Sequence, residues 1–329
     1  MTTTPIIKRI DHILIRIDDP DYKQLFLLLY DTFQLPVAWP VLAQPSFKSG
    51  GIFAGNVNLE IIRFGPPQDA APLRAASPTQ LYGIVFELYS PTESLNELTK
   101  RRIPHTPAIP YMQPETEAGG KKMLMWTNAI LGKLLSDNPL ANLFISLVNL
   151  APKSSFENAS SKVSLGGRSW TSKLLERAFR DGIIYTVDYN REFVDVDTWD
   201  TSNREALSTR QGGPLGLESV KEVILGVTDF EEAQKRWQNF FSPTLPVAPG
   251  LWPVGDGPAI HLVPHSQNVI LALVLKVASL KKAEAFLSDK GLLGAINRIS
   301  EDEIRIAPEK IFGLDVRLVD DSSKRTEVY

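Results

Sequence analysis

Isoleucine recurs at positions 10, 13, 15 and 17 of the run Ile-Asp-His-Ile-Leu-Ile-Arg-Ile, a β-branched and mostly alternating pattern that predicts a strand over residues 8–18. The spacing then becomes helical at Leu25, Leu28, Leu29 and Phe33, so residues 20–34 are expected to lay one helix face on a sheet. Asp19 stands where an N-cap belongs and Pro20 at the first helical position. Leu35–Pro40 reads as a second strand. Residues 50–55 and 57–63 read as a hairpin turning at Gly55-Asn56. The order is β-α-β-β-β.

That order recurs. Leu81–Leu88 restarts it as a strand, and Ser90-Pro91-Thr92-Glu93 has the capping-box form before a helix bearing Leu95 and Leu98. A strand at Lys122–Asn128 follows. Residues 129–182 break the pattern and are expected to be an insertion, with helices at Ile130–Leu135, Leu140–Leu150 and Lys173–Arg180 around a Ser/Gly-rich loop. Gly182–Asn190 resumes as the strand that closes the second module. Ser202–Gly216, ending in Gly-Gly-Pro-Leu-Gly, reads as a linker. A third copy starts at Val220, with its helix entered at Asp229 and a strand at Gly257–Val263. A fourth runs from Ile270 through the helix Leu280–Lys290 to a strand at Gly313–Val319. The expected fold is α+β, four βαβββ modules paired into two domains with curled mixed sheets. The first domain covers residues 1–200, the linker 201–218, the second domain 219–320 and a polar tail 321–329.

Composition narrows the chemistry. Among 329 residues, 43% are hydrophobic and 22% charged, as in a soluble globular protein, and the formal net charge of −3 offers no footprint for nucleic acid or an anionic membrane. The N-terminus lacks an apolar stretch of signal-peptide type, and no apolar run approaches the roughly 20 residues that span a bilayer. A cytoplasmic protein is expected. With no cysteine, disulfides, thiolate ligands and a cysteine nucleophile are excluded, so any metal must be held by His, Asp, Glu, amide or water ligands. No phosphate-loop spacing and no Gly-x-Ser-x-Gly elbow is present.

The module order, Asp11-His12-Ile13, Gly55-Asn-Val-Asn-Leu-Glu60 and Gly313-Leu-Asp-Val-Arg-Leu318 together resemble the vicinal oxygen chelate superfamily. That superfamily includes glyoxalase I, fosfomycin- and bleomycin-resistance proteins and extradiol dioxygenases. The resemblance covers most of residues 8–128, 182–190 and 219–319. It implies that paired modules curl into a cup, with metal ligands projecting from the first and last strand of each module. Carried onto this chain, those positions are His12, Glu60, Gly83 and Asp188 in the first domain, and Glu222, His261, Ala272 and Arg317 in the second.

His12, Glu60 and Asp188 would then hold a divalent ion (Mn, Fe, Ni or Zn). This departs from the four-ligand glyoxalase set and from the two-His-one-carboxylate set of the extradiol enzymes. Arg317 and Ala272 make the second domain a degenerate partner, with Glu222 and His261 expected to bond to each other. The implied activity is Lewis-acid stabilisation of an enolate or oxyanion on a small organic substrate, of isomerase, lyase or dioxygenase type, with Glu87 as the proton-transfer base. The alternative is a metal-free protein of the bleomycin-resistance type that sequesters a small ligand. Each residue also has a plainer role: His12 as a hydrogen-bonded strand residue, Glu60 facing solvent, Asp188 at a hairpin edge. Trp39, Trp126 and Trp252 are expected in cup walls or cores. A homodimer is compatible with paired domains.

Overall fold

The computed structural model describes residues 4–44, 47–65, 79–113, 123–135, 138–151, 177–295 and 298–320. The first half holds β1 (Ile7–Arg16), α1 (Asp21–Leu27) with a π-helical turn at Leu28–Thr32, β2 (Val37–Gln44), β3 (Phe47–Phe53) and β4 (Asn58–Phe64). It continues with β5 (Gln80–Leu88), α2 (Pro91–Lys100), β6 (Ile109–Met112), β7 (Leu124–Leu131), α3 (Pro139–Leu150) and β8 (Ile183–Tyr189). After α4 (Val196–Thr209) come β9 (Leu217–Val227), α5 (Phe230–Phe241), β10 (Leu251–Trp252) and β11 (Ala259–Pro264). The chain closes with β12 (Val269–Val277), α6 (Leu280–Asp289), β13 (Arg298–Ser300), β14 (Glu303–Arg305) and β15 (Val316–Val319).

Two mixed sheets result, ordered β2-β3-β4-β1-β5-β8-β7-β6 and β10-β11-β9-β12-β15-β14-β13. One rule builds both. The first and last strands of each module pair in parallel: β1 with β4, β5 with β8, β9 with β11, β12 with β15. The first strands of successive modules pair antiparallel, β1 with β5 and β9 with β12. This is the α+β architecture of paired modules with two mixed sheets that the repeated element order predicts. The third module has two strands after its helix among the described residues, where the repeat has three.

Three local expectations change. Asp19 does not cap α1, which begins one residue later behind Pro20 with no side-chain cap; Asp19 instead meets Lys48 and Arg63, each at 3.3 Å. The expected linker is partly helix, because Asp195 caps α4 by accepting from the Thr198 N–H at 3.1 Å. Only Val196 and Leu207 of α4 are buried, too few to write an amphipathic stripe into the sequence. The expected insertion contributes α3 and the end of β7, where Ile130 and Leu131 are strand and not helix, while the first half of its helix at Lys173–Arg180 lies outside the described residues.

The halves share one core. Phe86 of β5 packs its ring 5.2 Å from Phe240 and 6.4 Å from Trp237, both on α5. The Trp237 indole donates to the Leu134 carbonyl at 3.0 Å. Trp252 is in this core and not in a cup wall. At the turn between β3 and β4, the Asn56 side chain accepts from Val220 N–H at 2.9 Å and donates to Val220 C=O at 3.0 Å. Gly55, at φ +93°, sits where a Cβ would meet the Glu218 carbonyl at 2.2 Å. Asn56→Ala is expected to cost about 2 kcal/mol, one net increment per lost hydrogen bond. A urea midpoint unchanged from wild type would contradict that role for Asn56. Among the described residues no helix is long and apolar enough to cross a membrane.

Candidate functional site

Strand alternation sorts the first sheet into two faces. Ile10, Ile13 and Ile15 of β1 enter the shared core, as do Leu59 and Ile61 of β4 and Ile84 and Phe86 of β5. The concave face carries Leu14, Ile62, Val85, Ile183 and Val187, with Tyr185, Tyr189 and Trp126 packed on them. A register shift between Ile10 and His12 makes Asp11 an extra residue, so Asp11 and His12 both reach this concave face. Without the bulge the two side chains would point to opposite sides.

A closed network results. His12 Nδ1 is 2.6 Å from Asp11 Oδ2, and its Nε2 is 3.1 Å from Glu60 Oε2 and 3.2 Å from the Tyr185 hydroxyl. The Tyr189 hydroxyl donates to Asp11 Oδ2 at 2.8 Å. The Ser49 hydroxyl donates to Glu60 Oε1 at 2.5 Å, and the Trp39 indole donates to Ser49 at 3.4 Å. Trp39 and Tyr185 flank the imidazole edge-on, each with its ring centroid 6.0 Å away. Gly51 leaves room for Trp39, since a Cβ there would lie 2.3 Å from the indole.

Burial alone would discharge His12, but hydrogen bonds to Asp11 and Glu60 and their charges outweigh it and raise its pKa to about 9. Asp11 runs the other way. Burial favours its neutral form, yet the His12 bond and charge, Arg9 and Tyr189 hold it below the usual carboxylate range. Burial and the adjacent carboxylates keep both Tyr185 and Tyr189 protonated, well above the ordinary phenol value. At neutral pH the site is an imidazolium between two carboxylates.

His12 and Glu60 therefore meet, as the strand positions suggested. Asp188 does not join them. Alternation puts it on the opposite face of β8 from Tyr185 and Tyr189, where burial pushes its carboxyl up. Glu87 reaches the concave side but is engaged by Lys8 at 2.8 Å, Arg9 at 2.7 Å and Arg191 at 2.5 Å. Arg9 also pairs with Asp200 of α4, tying the wall of the cup to that helix. In the second sheet Glu222 and His261 bond at 2.9 Å, and Arg317 is held by Asp315 and Glu303. His261 lies opposite Ile224, two residues beyond Glu222, just as Glu60 lies opposite Leu14, two beyond His12.

The divalent ion expected from the resemblance finds two protein ligands at His12 and Glu60. Among the described residues no group of three or more His, Asp and Glu side chains converges as a metal cluster. The other neighbour of Nε2 is a phenol held protonated. This donor set does not fit a resident ion bound by three protein ligands. Sequence reasoning missed Asp11, Ser49, Tyr185 and Tyr189 as parts of the site. Asp11 adjoins His12 in the chain, but the bulge that turns it inward left no signature.

The fold is shared with known structures. A hypothetical protein from Staphylococcus aureus superposes with a TM-score of 0.50 at 10% identity, over 94% of this chain and 98% of that one. Homoprotocatechuate 2,3-dioxygenase from Arthrobacter globiformis gives 0.51 at 9% identity, over 97% and 81%. A variant of the same enzyme from B. fuscum gives 0.50 at 8%, over 97% and 72%. No protein-family model and no curated protein matches the sequence. The chain thus has the two-domain fold of the vicinal oxygen chelate proteins.

Proposed function

We propose that the chain is a vicinal-oxygen-chelate-type enzyme that binds a small organic molecule in the first cup and transfers a proton at the His12–Glu60 pair. The observation that carries this is the buried imidazole clamped between Asp11 and Glu60 beneath aromatic walls. Substrate oxygen would replace Glu60 on His12 Nε2, leaving Glu60 Oε2 to take an acidic proton from the adjacent carbon. His12 would donate from Nε2 to the developing enolate oxygen, while Asp11 on Nδ1 fixes the ring. Proton count balances, since one proton enters at Glu60 and one leaves at His12, which gives isomerase or lyase chemistry its first step. Glu87, satisfied by three cations, serves as a brace for β1 and β8.

The reading is tested by deuterium uptake from solvent into a panel of α-hydroxyketones, followed by proton NMR. Wild type and Asp188→Asn are expected to exchange the acidic C–H of at least one member, and Glu60→Gln to lose the exchange more than 100-fold. Exchange that survives in Glu60→Gln, or fails throughout in wild type, would contradict it.

A second reading has its own observation. A carboxylate on Nδ1 with Nε2 turned toward a second carboxylate is also how a ligating histidine is oriented. A Mn, Fe, Ni or Zn ion would then rest on His12 and Glu60 alone, with the remaining positions left to water and substrate. Stoichiometric metal in wild type that is absent from Glu60→Gln would favour it.

A further inference from the structure

His12, Val85 and Tyr185 share one rung of the first sheet, because Val85 of β5 is the register partner of both. Val85 is fully buried and short, so the two longer side chains meet above it, with the Tyr185 hydroxyl 3.2 Å from His12 Nε2. The imidazole has Asp11 Oδ2 at 2.6 Å from Nδ1 and Glu60 Oε2 at 3.1 Å from Nε2. A carboxylate only accepts, so both ring nitrogens are donors and Nε2 cannot accept from the phenol. A phenol, with an ordinary pKa of about 10, carries its proton at neutral pH. Among the described residues the Tyr185 O–H therefore has no acceptor.

Tyr189 supplies the contrast. It lies two residues on, on the same face of β8, and its hydroxyl donates to Asp11 Oδ2 at 2.8 Å. The Ser49 hydroxyl and the Trp39 indole are likewise spent, on Glu60 and on Ser49. Of these donors around the imidazole, the phenol of Tyr185 is the one left over, and it stands beside the nitrogen that hands its proton to substrate. An oxygen that takes the place of Glu60 on Nε2 comes within reach of two donors from two different strands. Such paired donors act most strongly once negative charge has developed on the oxygen between them.

We infer that Tyr185 is a catalytic residue of this cup, donating its O–H to the substrate oxygen that becomes the enolate while His12 donates to the same oxygen. The inference rests on the proton-transfer reading of the site and adds its second oxyanion donor. Tyr185 keeps its proton throughout, so the proton count at His12 and Glu60 is unchanged. The test measures deuterium exchange into the α-hydroxyketone that wild type exchanges fastest, over a range of substrate concentrations at pH 7, with urea unfolding of the same samples. Tyr185→Phe is expected to lower kcat about 100-fold and to leave KM within about threefold, since the donor counts mainly in the transition state. Its urea midpoint should match wild type, because the hydrogen removed had no acceptor, whereas Tyr189→Phe should lower the midpoint by taking a donor from Asp11. Exchange by Tyr185→Phe within about threefold of wild type would overturn the inference and leave the His12–Glu60 step standing. A loss of kcat accompanied by a midpoint drop as large as that of Tyr189→Phe would make Tyr185 a structural residue and overturn it too. No exchange in wild type would overturn the proton-transfer reading, and this inference with it.

Discussion

Replacing His12 with alanine is expected to destabilise the protein by about 3–5 kcal/mol, the range for breaking a buried ion pair by removing one partner. The reason is what stays behind. Asp11 and Glu60 both face the vacated space, and Asp11 is held ionised mainly against its burial by the His12 hydrogen bond and charge. Without the imidazolium, two carboxylates share one poorly hydrated site, and at least one must take up a proton or turn away. Glu60→Gln in the same chain removes one of the charges and should return a large part of the loss, so the two substitutions are strongly non-additive. Urea unfolding at pH 7 of the four chains in that cycle measures the coupling. A His12→Ala cost under about 1 kcal/mol, or simple additivity with Glu60→Gln, would show that the clamp does not exist in solution.

The same clamp makes stability depend on pH in a defined direction. His12 titrates at 6.5 when unperturbed and at about 9 in the folded chain, so the folded state binds its proton more tightly. Its contribution is complete below pH 6.5 and is lost as pH rises through 9. That interval is worth about 3 kcal/mol at about 1.4 kcal/mol per pH unit. Asp11 acts at the other end. Its folded value is depressed below 3.8, so its contribution is present above that value and lost as pH falls through the folded one. Stability attributable to the site is therefore greatest between about pH 4 and 6.5. Urea midpoints from pH 5 to 10 should fall steeply between 6.5 and 9 in wild type. Asp11→Asn removes a principal cause of the His12 shift and should flatten that fall. A wild-type profile flat across this window would contradict the imidazolium.

Much of this was legible in the sequence because repetition carried it. The β-α-β-β-β order fixed which strands open and close a module, and with it the meeting of His12 and Glu60. Side-chain direction was not legible where both faces of a strand are buried. In Ile183–Tyr189 the alternation sets Ile184, Thr186 and Asp188 against Ile183, Tyr185, Val187 and Tyr189, but it does not say which of the two faces lines the cup, and Asp188 was assigned to it by counting across the long stretch 129–182. The bulge at Asp11 is a matter of pairing between β1 and β5, which neither strand records alone. Glu87 illustrates a third limit. A carboxylate in a strand signals an interior partner, but its three cations come from β1 and from the turn after β8. Helix α4 hid for a simpler reason: with two buried residues in its length it lacks the stripe by which helices are read.

Nitrogen-15 NMR of the His12 imidazole at pH 7, with elemental analysis of the same untagged sample, decides most directly whether this site is a proton clamp. A doubly protonated ring that titrates near 9, with divalent metal well below one equivalent, is the expected result. A neutral ring carrying a stoichiometric divalent ion that is lost in His12→Ala would contradict it, and would make His12 and Glu60 metal ligands.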